Sequence, residues 1–244
     1  MLIAAAVCPH PPLLIPEATG SPGAADAELG RLRTACHQAV AALLAEHQDL
    51  IAVVGGDPKT PHTAEYPPAS PGRLHEYGVP FTVGHDGESA LPLSLTIGKW
   101  LLANHPAPPA VWWGIARDAS PAECLQVGEK LALLAPRVAL LALGDGPARR
   151  ARAAPHAADP EADRYDDQLA GALAGADPVA LAALDPREDR ALEIAGRAAW
   201  QVLAGAAGDG PGDEQSRHAF DAALRYRGAP FEVSYVVASW RRAD

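Results

Sequence analysis

The sequence predicts an α/β fold: one domain with a central mixed, mostly parallel sheet, flanked by helices and completed by a C-terminal antiparallel hairpin. Over the first two thirds of the chain, short apolar runs alternate with segments whose apolar residues recur at helical spacing. The chain then ends in two strand-like segments around the turn sequence Arg227-Gly228-Ala229-Pro230. Because no internal repeat or long linker divides the 244 residues, we predict a single domain over residues 1–244.

The first predicted elements are a strand, a helix and a second strand. Residues 2–7 form an apolar run typical of a buried strand. Ser21-Pro22 then supplies a helix cap and a first-turn proline, and the apolar residues that follow have helical spacing: Leu29, Leu32, Cys36, Val40 and Leu43. Residues 50–54 predict the second strand. Residues 57–78 show no clear period, and loops of that length in compact domains are usually functional or mobile.

The next part of the chain predicts two further core strands. Residues 79–83 predict a short edge strand, and residues 91–104 predict a helix. Residues 110–115 and 137–143 read as strands. Between them, Ser120-Pro121-Ala122-Glu123 combines a capping box with a first-turn proline and predicts a helix that runs to about Leu134.

The last third predicts helices and then the closing hairpin. Residues 159–207 have a helical pattern in two or three pieces, with starts at Asp159-Pro160, Asp177-Pro178 and Asp185-Pro186. Residues 208–213 form a flexible break before the hairpin segments 219–226 and 231–240.

Composition excludes several classes of function. The formal net charge of -10 argues against a nucleic-acid partner, since phosphate binding needs a basic surface. The apolar runs are shorter than a membrane span and the start of the chain lacks a basic leader region, so we expect a cytoplasmic protein with no membrane partner. The three cysteines lack C-x-x-C spacing, so buried thiols are expected; Cys8 is either a core residue or a neighbour of the pocket at His10.

The first strand ends in a histidine between prolines, Cys8-Pro9-His10-Pro11-Pro12. The prolines prevent a helix from following directly, so His10 is expected in a stiff extended turn. In open α/β sheets the carboxyl ends of the strands form the ligand-binding edge. His10 is therefore the first candidate for a functional residue.

The other core strands also end in polar residues. Asp57 and His62 follow the second strand, Asp118 follows the third and Asp145 follows the fourth, so these side chains are expected near His10. The sequence has no phosphate-binding P-loop, no G-x-S-x-G motif and no G-x-G-x-x-G after the first strand. These absences disfavour nucleotide binding and serine hydrolysis.

A metal site is one use for such residues, because two histidines and one carboxylate form the facial triad of non-haem iron(II) enzymes. Further histidines occur in or near the long loop and after the fourth strand: His62, His75, His85 and His156. Loop histidines are also often simply solvated. Glu193 is the best late carboxylate, although a surface ion pair with Arg197, four residues further on, explains it equally well.

Several segments resemble one family. The start His10-Pro-Pro-Leu-Leu-Ile-Pro resembles class III extradiol ring-cleavage dioxygenases of the catalytic B-subunit type, and MEMO-type proteins that share their fold. Later segments are similar to an alanine-rich, largely uncharacterised branch of that superfamily: Leu91-Pro-Leu-Ser-Leu-Thr-Ile-Gly, Leu143-Gly-Asp-Gly-Pro-Ala-Arg-Arg150, Trp200-Gln-Val-Leu-Ala-Gly-Ala-Ala207 and Ala229-Pro-Phe-Glu-Val-Ser-Tyr-Val-Val-Ala-Ser-Trp240. Together these motifs extend over most of the chain.

The resemblance implies an iron(II) enzyme that opens the ring of a catecholic substrate with dioxygen. It implies His10, His62 and Glu193 as iron ligands and His156 as the acid-base residue. The sequence departs from the family at two of these places. Gly56-Asp57-Pro58 stands where the family has its second histidine, and Pro147-Ala148-Arg149-Arg150 stands where it has the acid-base histidine.

Two alternatives follow from these departures. A family member without iron chemistry would bind a small aromatic or anionic ligand in the same cleft, where Arg149 and Arg150 would suit a carboxylate or phosphate. A different metal-dependent activity, such as hydrolysis, would use the same side chains. A homodimer is also open, formed through the terminal hairpin or the strand that carries Trp112 and Trp113.

Overall fold

The computed structural model describes residues 1–19, 24–85, 87, 89–103, 105–106, 108–148, 159–208 and 219–243. Nine strands lie in these ranges: β1 Leu2–Cys8, β2 Leu50–Asp57, β3 Ala64–Tyr66, β4 Gly72–Arg73, β5 Thr82–Val83, β6 Ala110–Ala116, β7 Val138–Leu143, β8 Phe220–Gly228 and β9 Tyr235–Arg242. The same ranges hold seven α-helices: α1 Ala24–Leu44, α2 Leu93–Ala103, α3 Pro121–Ala132, α4 Pro160–Ala174, α5 Pro178–Ala182, α6 Pro186–Leu192 and α7 Arg197–Ala207.

Seven of the strands form one mixed sheet in the order β3-β6-β2-β7-β1-β9-β8. The four central strands, β6, β2, β7 and β1, are parallel to one another. The hairpin β8-β9 joins β1 antiparallel, and β3 joins β6 antiparallel at the opposite edge. The predicted α/β class, the mostly parallel mixed sheet and the C-terminal hairpin are confirmed.

Helices cover both faces of the sheet, which explains why the central strands are apolar throughout. Along β1, Ala4 and Ala6 pack with α1 and α2, whereas Ala5 and Val7 pack with the helices that follow β6 and β7. All three cysteines are buried free thiols, as expected, and Cys8 belongs to the core.

The helix starts predicted at Ser120, Asp159, Asp177 and Asp185 are confirmed by their caps. The start predicted at Ser21-Pro22 and residues 209–213 of the predicted break lie outside the described residues. At α3, the Ser120 side chain accepts from the Glu123 N–H and the Glu123 side chain accepts from the Ser120 N–H, so both halves of the capping box are present. The side chains of Asp159, Asp177 and Asp185 accept hydrogen bonds from the first turns of α4, α5 and α6, and a proline follows each of them.

Two predicted elements differ from the structure. The predicted edge strand over residues 79–83 is shorter and pairs only with β4, in a separate two-stranded sheet; β3 forms the edge of the main sheet beside β6. The helical pattern after Asp185 is broken between α6 and α7, because Glu193 takes a left-handed backbone conformation with φ of 55°. None of the helices in the described ranges is long and apolar enough to span a membrane.

The packing of α3 against α7 depends on glycines. A Cβ added at Gly128 of α3 would lie 2.1 Å from the Val202 carbonyl oxygen, and one added at Gly205 of α7 would lie 2.2 Å from the Leu125 carbonyl oxygen. These contacts are with backbone, which cannot rotate away. The two helix axes therefore pack closely only because both positions lack a side chain.

We predict that Gly128→Ala lowers the free energy of unfolding by about 1–3 kcal/mol, because the new methyl group forces α3 and α7 apart. Gly171→Ala in α4 is the matched control, since a Cβ there meets nothing within 4 Å. It should be neutral or stabilise by up to about 1 kcal/mol through helix propensity. Urea denaturation of the two variants measures the difference, and equal effects would contradict the packing argument.

Candidate functional site

A cavity of about 360 Å³ lies where three of the four parallel strands end. His10 follows β1, Asp57 ends β2 and Arg117 follows β6, and all three line it. The start of α7 and the turn before it form much of the remaining wall. Its other lining residues mix apolar and polar side chains: Gly56, Pro58, Tyr77, Leu93, Ser94, Ala148, Asp189, Glu193, Ile194, Ala195, Arg197 and Ala198.

His10 is held in place by the end of the neighbouring strand. Its backbone N–H donates to Asp145 Oδ1 at 2.7 Å, and its ring Nδ1 lies 3.6 Å from the same oxygen. A hydrogen bond of 3.0 Å from the Gly144 N–H to the Cys8 carbonyl oxygen holds the ends of β7 and β1 side by side. Burial raises the pKa of the Asp145 carboxyl, while the His10 charge and N–H act in the opposite direction. The predicted meeting of His10 and Asp145 is confirmed.

Asp57 is buried and already has two hydrogen-bond partners. Its Oδ2 accepts from the Tyr66 hydroxyl, and its Oδ1 accepts from the Lys59 N–H at 3.0 Å. Burial and the hydrogen bond to Asp57 raise the pKa of Tyr66, so this phenol stays protonated and keeps donating. The carboxylate thus anchors β3 and the turn after β2 while it lines the cavity.

Glu193 lines the cavity from the turn between α6 and α7. In the same turn, the Ala195 N–H donates to the Asp145 carbonyl oxygen at 3.1 Å. The turn is therefore fastened to the same strand end that holds His10. The structure brings together two of the three predicted metal ligands, His10 and Glu193, in one cavity.

The predicted surface ion pair between Glu193 and Arg197 does not have the expected helical geometry. Glu193 caps the end of α6, and Arg197 begins α7 as a fully buried residue. Arg197 pairs instead with Asp189 of α6, through its Nε and Asp189 Oδ2. The helix break places these two residues on different helices, which the sequence pattern did not indicate.

The Arg197 guanidinium donates hydrogen bonds to several neighbours. Its Nη1 donates to Gln201 Oε1 at 2.6 Å, and its Nη2 donates to the carbonyl oxygens of Arg117 and Ala119 at 3.2 and 3.0 Å. Gln201 in turn donates to the carbonyl oxygens of Ala182 and Leu184. Four of the five N–H groups of this guanidinium thus donate to described acceptors, which offsets the cost of burying its charge.

Asp189 is the acidic partner in this network and also part of the cavity wall. Burial raises its pKa to about 6, against the lowering effect of Arg197, Arg117 and Arg190. Its Oδ1 is buried and has no hydrogen-bond partner among the described residues. A buried carboxylate oxygen without a partner is unusual and calls for an explanation.

His62, the third predicted metal ligand, lies elsewhere. It is exposed and lines a second cavity of about 470 Å³ with Trp113, Lys130 and Glu123. Asp118, which was expected near His10, lines the same second cavity and pairs with Arg190 at 3.3 Å. The loop after β2 therefore carries its histidine away from the strand end.

The remaining candidate residues lie away from the cavity at His10 or outside the described residues. His75 and His85 are exposed and do not line the cavity at His10. His156, the predicted acid-base residue, and the cations Arg149 and Arg150 lie outside the described residues.

The iron site implied by the family resemblance needs its three ligands in one cavity. His10 and Glu193 share a cavity, but His62 is not in it and Asp57 already holds two donors. Of the His, Cys, Asp and Glu side chains in the described ranges, no group of three is arranged to hold a metal ion. The described donors thus do not make up the three-ligand set that the family uses.

The sequence did not indicate Asp189, Arg197, Ser94 or Tyr77 as site residues. Ser94 is buried and donates its hydroxyl to the Gly56 carbonyl oxygen at 2.8 Å, which joins α2 to the end of β2. Arg117 could have been found by the strand-end rule, because it directly follows β6. Tyr77 belongs to the long loop over residues 57–78, which the sequence marked as functional or mobile. The other three come from helices whose approach to the sheet has no signal in the sequence.

Comparison with known proteins gives little further information. No family model matches the sequence, and no curated protein matches it. Among solved structures, the chain is similar to one described as uncharacterized protein JW3007 from Escherichia coli K12, with 14% sequence identity and a TM-score of 0.49. The match covers 97% of this chain and 99% of that chain. Similarity of this degree supports no conclusion about function.

The pKa of Asp189 predicts a pH-dependent contribution to stability. Because the folded-state pKa of about 6 lies above the ordinary value of 3.8, the contribution is full below pH 4 and is lost as the pH rises through 6. The difference in unfolding free energy between wild type and Asp189→Asn should be about 1 kcal/mol larger at pH 5 than at pH 7.5. Urea denaturation at both pH values measures this difference in unfolding free energy. A difference that is larger at pH 7.5 than at pH 5 would show that the charge of Arg197 outweighs burial and lowers the pKa of Asp189.

Proposed function

We propose that the cavity at His10 binds a small aromatic compound that carries hydroxyl groups, of the phenol or catechol class, without using a metal ion. The observation that carries this proposal is the lining of the cavity, which combines an apolar wall with several hydrogen-bond acceptors. The volume of about 360 Å³ is at the small end of the range for ligand pockets and suits a single ring.

The apolar part of the wall would contact the ring. Pro58, Leu93, Ile194 and Ala198 lie around the cavity, with Tyr77 at its edge. Burial of a ring against such side chains supplies most of the binding free energy of small aromatic ligands.

The polar part of the wall favours a ligand that donates hydrogen bonds. Asp57, Asp189 and Glu193 are acceptors when ionised, and His10 adds a ring nitrogen. The guanidinium of Arg197 is already engaged with Asp189, Gln201 and two carbonyl groups, so it offers little to an anion. Arg117 also lines the cavity, but three acidic side chains face it, so hydroxyl groups suit this wall better than carboxylate or phosphate groups do.

His10 is the residue best placed to orient the ligand. The Asp145 carboxylate fixes the turn through the His10 N–H, while the ring Nδ1, 3.6 Å from Asp145 Oδ1, is buried without a hydrogen-bond partner among the described residues. The other ring nitrogen would bind a ligand hydroxyl. Residues held by such backbone contacts lose little freedom on binding, and this favours affinity.

A second candidate function is the iron(II)-dependent ring cleavage implied by the family resemblance. The observation that favours it is that His10 and Glu193, two of the expected ligands, line one cavity. The two candidates share the ligand class and differ in whether a metal is needed.

We predict that catechol binds the metal-free wild-type protein, and that His10→Ala weakens this binding about tenfold through loss of a hydrogen bond to the ligand. His62→Ala is the matched control and should leave the affinity unchanged, because His62 lines the other cavity. Ala198→Leu should abolish binding, because the larger side chain fills part of the cavity. Titration calorimetry in the presence of EDTA measures the affinity of the wild type and of the three variants for catechol.

Two results would contradict the proposal. One is that neither phenol nor catechol binds the wild-type protein. The other is that His10→Ala and Ala198→Leu, each shown by circular dichroism to be folded, bind catechol as tightly as wild type does.

A metal titration separates the second candidate from the first. Iron(II)-dependent cleavage requires uptake of about one iron per chain under anaerobic conditions, and this uptake should be lost in both His10→Ala and Glu193→Gln. Oxygen consumption with a panel of catechols then tests ring cleavage. Absence of iron uptake by the wild-type protein would reject the second candidate and leave catechol binding unaffected.

A further inference from the structure

The second cavity, of about 470 Å³, is separate from the cavity at the strand ends, and none of the described residues lines both. Part of its wall is one face of α3, which carries Glu123, Val127 and Lys130 at helical spacing. Trp113 of β6 and His62 of the loop after β2 also line it. The proposed function makes no use of this cavity, so its side chains need a separate account.

The two acidic side chains of the second cavity already have partners. Glu123 Oε2 accepts from the Ser120 N–H and from the Ser120 hydroxyl, both at 2.7 Å, and it lies at the positive end of the α3 dipole. Asp118 pairs with Arg190 at 3.3 Å. Positive charge within the chain therefore offsets both carboxylates before any ligand enters.

Lys130 brings a positive charge that no described carboxylate pairs with. Its Nζ lies 4.5 Å from the centre of the Trp113 ring, and this is a cation–π contact that leaves N–H groups free to donate. Seven residues separate it from Glu123, which is about 10 Å along the helix and about one Debye length at physiological salt. The Lys130 end of the cavity is thus its positive end.

The surface beside this ammonium group is apolar. The Trp113 ring lies under it, and Val127 precedes it by three residues on the same face of α3. A cation next to apolar side chains suits a ligand that joins an apolar body to an anionic group. One lysine balances a single negative charge, and Glu123 and Asp118 in the same cavity would repel a second one. A monocarboxylate therefore fits better than a phosphate.

We propose that the second cavity is a binding site for a small organic monocarboxylate, with the carboxylate at Lys130 and the apolar body against Trp113 and Val127. The exposed ring of His62 supplies a further N–H donor from the loop after β2. The site is independent of the cavity at His10 and of the ligand proposed there.

A competing explanation lies within the chain. Glu65 of β3 is directly opposite Trp113 of β6 in their antiparallel pair, so the two side chains share a face of the sheet. Glu65 and Lys130 are both exposed. A rotation of Lys130 toward Glu65 would pair the two charges on the surface and leave no cation for a ligand. The two explanations differ in whether the protein distinguishes a charged ligand from a neutral one of the same shape.

The test compares benzoate with benzamide, its neutral analogue, by titration calorimetry on the wild-type protein. Benzoate should bind at least about fivefold more tightly, which corresponds to one partly exposed ion pair. This comparison needs no variant and so does not depend on whether a substitution folds.

Variants then locate the site. Lys130→Gln should weaken benzoate binding about fivefold and leave benzamide binding unchanged, because only the charge is lost. The matched control is Lys59→Gln, which removes the same charge from an exposed lysine that pairs with Glu76 and does not line this cavity. It should keep the wild-type ratio of the two affinities. Ala198→Leu, which fills part of the cavity at His10, should bind benzoate as tightly as wild type does.

Three results would overturn this inference. One is that wild type binds benzoate no more tightly than benzamide, which would favour the contact of Lys130 with Glu65. Another is that a folded Lys130→Gln variant keeps the wild-type ratio. The third is that Ala198→Leu loses benzoate binding, which would place benzoate in the cavity at His10. None of these results bears on whether catechol binds the wild-type protein, so the proposed function is tested separately.

Discussion

The buried guanidinium of Arg197 is the constraint on which the site depends. A charge that is removed from water at the first residue of α7 must find acceptors on every side, or the fold would lose several kcal/mol. Its partners come from α6, from α7 itself and from the segment between β6 and α3. The same requirement places the Asp189 carboxylate and the Arg117 backbone at the edge of the sheet, where the cavity forms.

The second requirement is that the strand ends and α7 come close together. A Cβ at Gly144 would lie 2.5 Å from the Cα of Gly196 and 2.9 Å from the Trp200 ring, so the turn before α7 can rest on the end of β7 only because both positions are glycines. Asp145 then contacts His10 with its side chain and Ala195 with its carbonyl oxygen. In this way one loop after β7 links the histidine turn to the wall that carries Glu193.

Site residues that directly follow a strand could be predicted from the sequence, and those further from a strand end could not. His10 and Asp145 directly follow neighbouring parallel strands, so the strand pattern alone was enough to bring them together. His62 comes several residues after β2, within a loop that carries its own short strand β3, and the loop takes it to a different cavity. In the sequence, Asp189 lies in a helix far from any strand, and its spacing from Arg197 did not indicate a contact.

The sequence by itself determined the α/β class, the closing hairpin, the helix starts at Ser120, Asp159, Asp177 and Asp185, and the position of His10. These features depend on local rules: apolar periodicity, capping side chains and prolines that restrict the backbone of their neighbours. Only the tertiary structure decided which side chains share a cavity with His10. That outcome depends on the left-handed conformation at Glu193, which separates α6 from α7, and on the acceptors that surround Arg197. Both result from packing between segments distant in the chain, and no local pattern specifies such contacts.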